Sequence, residues 1–445
     1  MIVARSLAQP VAKSLCANLI PGPRRISLWW KGRQLKGWIR KSKTTESVQG
    51  VIIPHAWQVH SARQIQTTMT TIHLALVDDW ELSGNGSGDI RRLQFEPLRR
   101  LVSIYNGLGI RGSFNAEVMQ QLTFRQHQGR HQELKVLADE WDDVVRETFR
   151  QGHDIQLHIH PQWQNAEYKD GRWKLTADWS ILNYSREAAL QMLQRGKEYL
   201  ENLLKDIDPK YRCVSFRSGA WCIAPSPHML DLLVKLGIVF DMSIVAGVKY
   251  DTRNIKLDYT TCEEDFLPYY PVMTDARRVS DKAEPIVCVP TNCFYASRRL
   301  VFRHHLEKVG SKVKRKVGQQ TAGGNNDRSV EAYGEQWAQI DGSLVKRIYR
   351  KGIVPYLKGK HTISDLAQLD YRLMTEMLDS IRKRAKASGL TDVPIVLENH
   401  TKDLQNFSDL ERFLEKASGS SDIQFVTLTE LATNLKENFK IKTRS

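Results

Sequence analysis

"IHLALVDDW", residues 72–80, decides the fold. A short apolar run over 72–77 reads as a strand, and it ends abruptly on Asp78, Asp79 and Trp80. What surrounds it repeats the arrangement. "LQFEPLRRLVSIYNGLG" carries apolar residues at helical spacing, with Gly107 and Gly109 suited to a C-terminal cap. "GSFNA" reads as a strand, "LKVLADEWDDVVRETFRQG" as a helix closed by Gly152, and "DIQLHI" as a strand. The alternation continues through a helix with Ser185 as N-cap, the strand "CVSF", the helix "SPHMLDLLVKLG" and the strands "IVFDMSI" and "PIVCVP". Near the end, "SDLAQLDYRLMTEMLDSIRKRAKASG" reads as one long helix, with Leu366, Leu369, Leu373, Met377 and Ile381 on one stripe. "VPIVLENH", "SDLERFLEKA", "IQFVTL" and "TELATNLKENF" complete the series. Seven or eight β–α units in one block imply a parallel sheet covered by helices, and favour a distorted (β/α) barrel of about seven strands over an open sheet. No glycine-rich phosphate loop follows the first strand, which argues against dinucleotide binding.

The barrel is expected over residues 69–440. Before it, residues 1–68 read as a basic N-terminal extension. Positions 1–45 hold ten Lys/Arg and no Asp or Glu, within a chain of 445 residues and net charge +15. Such a field attracts anionic glycan, membrane headgroups or nucleic acid, with nucleic acid the least favoured here. Trp29, Trp30 and Trp38 among those charges favour a contacting surface over a merely solvated arm. The start lacks the continuous apolar run of a secretory signal, so a cytoplasmic protein is expected, peripheral to the inner face of a membrane if the basic arm binds there. Six cysteines without a CxxC pair read as buried thiols rather than a zinc cluster. Residues 307–336, basic and then Gly/Asn-rich, read as a mobile insertion.

In a parallel barrel, chemistry collects just past the C-terminal ends of strands. Five such ends carry titratable groups: Asp78-Asp79, His158/His160, Arg217, Asp241 and Asn399-His400. On a strand, residues two apart share a face, so His158 and His160 can approach one metal ion while Ile159 points away. A carboxylate from Asp79 would complete a His/His/Asp set with an open position for water, suited to zinc, with cobalt or nickel as alternatives. Adjacent aspartates suggest divided labour, one on the metal and one taking the water's proton. Arg217 would pair with the base and keep it ionised, His400 would protonate a leaving group, and Asp241 would orient that histidine.

The order Asp-Asp, H-x-H-P, R-x-G, strand Asp and late strand-end His resembles the NodB-homology polysaccharide deacetylases, carbohydrate esterase family 4. The resemblance spans roughly residues 70–435. It implies a metal-dependent enzyme on a distorted (β/α) barrel that removes N- or O-acetyl groups from sugars. It further implies Asp78 as base, Asp79, His158 and His160 as metal ligands, Arg217 as tether of the base, Asp241 as tuner of the acid and His400 as the acid. Two motifs depart from the family. One residue, not three, separates the histidines, as in a divergent branch found with lipopolysaccharide or wall-polymer genes, and His153 is a fallback ligand. The third motif reads "RSGAW" where the family has R-x-P-Y, so Gly219 and Ala220 replace the proline and tyrosine. Trp221 or Trp80 is then expected to supply a sugar-stacking face.

The expected function is removal of an acetyl group from an amino sugar, polysaccharide or glycan precursor. The alternatives are another metal-dependent amide hydrolase on a (β/α) barrel, and a non-catalytic binder of glycan or polyanion. An amidohydrolase usually carries its H-x-H after the first strand, where this chain has Asp78-Asp79. Pure binding needs no general acid.

Overall fold

The computed structural model describes residues 70–175, 177–252, 255–306 and 359–444. The basic extension over 1–68 and the insertion expected at 307–336 lie outside the described residues.

Eight parallel strands form one sheet: β1 (Thr71–Trp80), β2 (Ser113–Glu117), β3 (Asp154–Ile159), β4 (Ser215–Ser218), β5 (Phe240–Asp241), β6 (Val287–Cys288), β7 (Asp392–His400) and β8 (Ile423–Phe425). Seven run in the spatial order β6-β5-β4-β3-β2-β1-β7, and β8 pairs with the start of β1. The two edges of that order meet just past β6. Thr291 bridges Val396 of β7 in parallel, and the Asn292 N–H donates to the Val396 carbonyl at 2.9 Å. The result is a distorted (β/α) barrel whose ring is closed there by an isolated bridge rather than a full ladder.

The first strand shows why the barrel forms. Ile72, Leu74 and Leu76 face the large core beneath the helices, whereas Ala75 and Val77 join a smaller cluster with Phe240, Met242, Val287 and Val396. A strand apolar on both faces must be covered on both, as a parallel sheet requires. Helix α8 (Leu428–Asn438) contributes Leu428, Leu431 and Leu435 to the smaller cluster. Truncating a fully buried aliphatic such as Leu76 to alanine would cost about 2–5 kcal/mol.

Among the described residues, the helical shell includes α1 (Glu96–Gly107), α2 (Val118–His127), α3 (Gln132–Arg150), α4 (Arg186–Leu204), α5 (Met229–Lys235), α6 (Tyr371–Ser388) and α7 (Phe407–Ser418), besides α8. Ser185 caps α4 by accepting from the Ala188 N–H, as its position suggested. The long helix expected from Ser364 begins only at Tyr371. Asp370 accepts from the N–H groups of Arg372 and Leu373 and so fixes the helix start. Leu366 and Leu369 are buried, but on a short 3₁₀ turn and loop before it. Strand β1 runs three residues past its apolar stretch, because Val77–Trp80 pair with β2 and Asp78 and Asp79 pair with Asn399 and His400 of β7. That pairing holds the two aspartates in extended backbone at the rim. Among the described residues, no helix is long and apolar enough to cross a membrane.

Candidate active site

Alternation along β1 sends its last residues to different places. Asp79 and Glu81 line a cleft with Gly84, His158, His160, Trp179, Ala220, Trp221 and His400. Asp78 points the other way. Its carboxylate accepts from the Tyr105 hydroxyl at 3.0 Å and from the Asn399 side-chain amide, and burial pushes its pKa up to about 7. Trp80 does not face the cleft either. Its ring packs on Phe95 and Trp141 beneath the helices and its indole N–H donates to the Gln94 carbonyl, so of the two expected stacking tryptophans only Trp221 lines the cleft.

His158 is the penultimate residue of β3 and His160 follows the strand in extended backbone, so both rings reach the same side, 4.8 Å apart between centroids. Pro161 then opens a 3₁₀ turn that leads the chain away. Glu117 locks this segment: it accepts the His160 N–H at 2.9 Å while capping α2 through Met119 and Gln120. The Nδ1–H of His158 donates to the Arg217 carbonyl at 2.8 Å, which leaves Nε2 free to ligate. Both Nε2 atoms face Oε2 of Glu81, His158 at 3.2 Å and His160 in closer contact. The three donor atoms lie within 4.8 Å of one another and all three residues are buried. Two imidazoles and a carboxylate fit a divalent transition metal, with the cleft side left for water and substrate. The carboxylate gathered with the two histidines is therefore Glu81. His153, at the far end of β3, bonds to the Gly112 N–H and to Asn106.

Gly219 explains one departure in the third motif. A Cβ there would stand 2.6 Å from the Ile159 carbonyl oxygen and 2.9 Å from Nδ1 of His160, so only glycine lets the ring sit where it does. Ala220 and Trp221 follow with φ of 53° and 58°. This left-handed turn carries the Trp221 ring over the cleft, where its Nε1–H donates to Glu398 at 2.9 Å and its face stacks on Tyr250.

Arg217 is fully buried and holds Asp79: Nη1 donates to Oδ1 at 2.9 Å, and Asn115 donates to the same oxygen at 2.8 Å. Its Nη2 donates to Thr291 Oγ1 at 2.9 Å, where the barrel closes. Oδ2 of Asp79 is left facing His400, 3.8 Å from Nε2. Burial acts to raise the Asp79 pKa, but Arg217 and the imidazoles of His158 and His400 outweigh it and hold the carboxylate below its usual range.

His400 binds Asp365 through Nδ1 at 3.2 Å, and Glu398 lies 3.5 Å from Nε2. Burial and Lys402 act to lower its pKa, but Asp365 and Glu398 prevail and raise it to about 10. Asp241, expected in that supporting role, instead accepts from Ser243 Oγ at 2.6 Å, and Ser243 in turn accepts the Ser218 N–H. It braces the end of β4 rather than His400. Burial raises Glu398 to about 7 against the pull of Arg217.

The sequence reading missed Glu81, Glu398, Asp365 and Lys402. Glu81 and Glu398 carried a usable signal, each standing two residues from a residue already singled out, Asp79 and His400. Asp365 precedes a 3₁₀ turn far along the chain and carried none.

No family model matches the chain, and no curated protein does. Among solved structures, the chain is similar to a Mycobacterium smegmatis protein described as a polysaccharide deacetylase, at 14% identity, covering 88% of this chain and 96% of that one, with a TM-score of 0.42. A Pseudomonas aeruginosa PAO1 protein of the same description shares 13% identity over 83% of this chain and 93% of its own, with a TM-score of 0.40. PuuE allantoinase shares 12% identity over 84% and 94%, with a TM-score of 0.39.

Proposed function

We propose that this protein is a metal-dependent hydrolase that removes an acetyl group from an amino sugar or glycan precursor. One observation carries the reading: a carboxylate–bis-imidazole donor set, an arginine-held aspartate and an aspartate-backed histidine converge on one cleft at the C-terminal rim of the barrel.

Glu81, His158 and His160 would hold a divalent metal, zinc or alternatively cobalt or nickel. A metal there supplies Lewis acidity, polarising the acyl carbonyl and making water a better nucleophile at neutral pH. Asp79 is the general base: Arg217 and Asn115 occupy Oδ1, so Oδ2 takes the proton. His400 is the general acid. Asp365 fixes its Nδ1, and a pKa raised to about 10 keeps Nε2 protonated at neutral pH, ready to pass its proton to the departing amine or alkoxide. Arg217 is a positioning residue, because it acts through Asp79. The aromatic walls Trp221 and Trp179 favour a sugar ring over another amide substrate, since flat apolar faces suit the C–H surface of a pyranose.

The test is acetate release from N-acetylglucosamine oligomers and O-acetylated glycans by the zinc- or cobalt-loaded protein, beside Asp79→Asn. Release abolished by that substitution supports the reading. A metal-loaded protein that frees no acetate from any of these glycans removes it.

A further inference from the structure

We propose that Lys402 is a positioning residue for the ligand carboxylate: it draws Oε1 of Glu81 away from the imidazoles, so that Glu81 offers a metal one oxygen, and it weakens metal binding by its charge. This inference rests on reading Glu81, His158 and His160 as the metal site.

The two oxygens of Glu81 are divided. Oε2 faces the Nε2 atoms of His158 and His160. Oε1 contacts Lys402 Nζ and stands 4.0 Å from His400 Nε2. Lys402 lies on the 3₁₀ turn Thr401–Asp403 straight after β7, which folds its side chain back over the end of β1. That side chain is 3% exposed, so its ammonium has little water. Asp403 lies 3.9 Å from it. Glu81 is also buried.

Two effects follow. A carboxylate gripped at Oε1 by a buried ammonium cannot turn both oxygens toward an ion, so a coordination position stays open on the cleft side. A fixed positive charge bonded to a ligand also repels a divalent cation a few ångströms away, through a medium far less polar than water. A purely supporting residue would strengthen metal binding, and its loss would weaken it. Lys402 is expected to do the reverse.

The experiment measures Zn²⁺ affinity by competition with a chromophoric chelator, and the visible spectrum of the Co²⁺ form, for the full chain and for Lys402→Met, Lys402→Gln, Lys402→Arg and Glu81→Gln. Lys402→Met should bind Zn²⁺ at least about tenfold more tightly. Its Co²⁺ bands should weaken as a second Glu81 oxygen joins the ion. Lys402→Gln keeps a donor for Oε1 without the charge, so it should tighten binding with a near-native spectrum, and it carries the affinity test if Lys402→Met does not fold. Lys402→Arg should match the native protein. Unchanged or weaker affinity in folded Met and Gln variants overturns the inference while leaving the metal site intact. A native chain that binds no Zn²⁺ overturns the metal-site reading, and this inference with it.

Discussion

Arg217 Nη1 lies 2.9 Å from Oδ1 of Asp79, and both side chains are buried at the rim of the barrel. The pair joins the first strand to the fourth across 138 residues of sequence. It leaves Oδ2 as the one oxygen of Asp79 turned toward His400. Breaking such a buried pair strands a charge, which costs about 3–5 kcal/mol. Arg217→Met should therefore lower the melting temperature. It should also raise the Asp79 pKa and move the acid limb of the pH–rate profile to higher pH. An unmoved acid limb in a folded variant would remove Asp79 as the base.

Metal content separates the roles of Glu81 and Asp79. Glu81→Gln should lose the metal, as should His158→Ala. Asp79→Asn should keep it and lose about 10²–10⁴ in kcat. Elemental analysis of the purified variants decides the matter: metal retained by Glu81→Gln and lost by Asp79→Asn would make Asp79 the ligand.

Gly219→Ala tests the close approach beneath His160. A Cβ 2.6 Å from a backbone oxygen and 2.9 Å from the ring must displace one of them. The variant should fold with metal affinity reduced about 10- to 100-fold, as when a ligand's support is lost. Native Zn²⁺ affinity in a competition titration would show that the ring has room to spare.

Asp365 is expected to set the alkaline limb. His400 must be protonated to act as an acid, and Asp365 holds its pKa above the ordinary imidazole value. Asp365→Asn removes that support, so activity should begin to fall at lower pH than in the native enzyme. A pH–rate profile from pH 6 to 10 reads the shift, and superimposable alkaline limbs would exclude His400 as the titrating acid.

His153 predicts a stability change away from the site. Burial, with the charge of Arg111 nearby, lowers its pKa to about 4 from 6.5. A depressed folded pKa means stability present above pH 6.5 and lost as pH falls toward 4. Native protein should lose on the order of 2 kcal/mol more than His153→Asn between pH 7 and 4. Denaturant melts at the two pH values compare them, and equal losses would remove His153 as the cause.

The sequence alone determined the parallel β–α succession and the rim of strand ends. It also determined the shared face of His158 and His160, since a period of two needs no partner to be read. It could not say which side of β1 faces the cleft. Asp78 and Asp79 are equivalent as letters, and the register of β1 against β2 and β7 turns Asp79 inward and Asp78 toward Tyr105. The same alternation buries Trp80 under the helices and lets Glu81, just past the last ladder pair, turn back to the histidines. Asp365 comes beside His400 through a bridge to Glu398, a contact across 33 positions that no local pattern announces. Strand periodicity tells which residues share a face. Only the closure of the barrel, with the burial it imposes, decides which face is inside and which carboxylate meets which base.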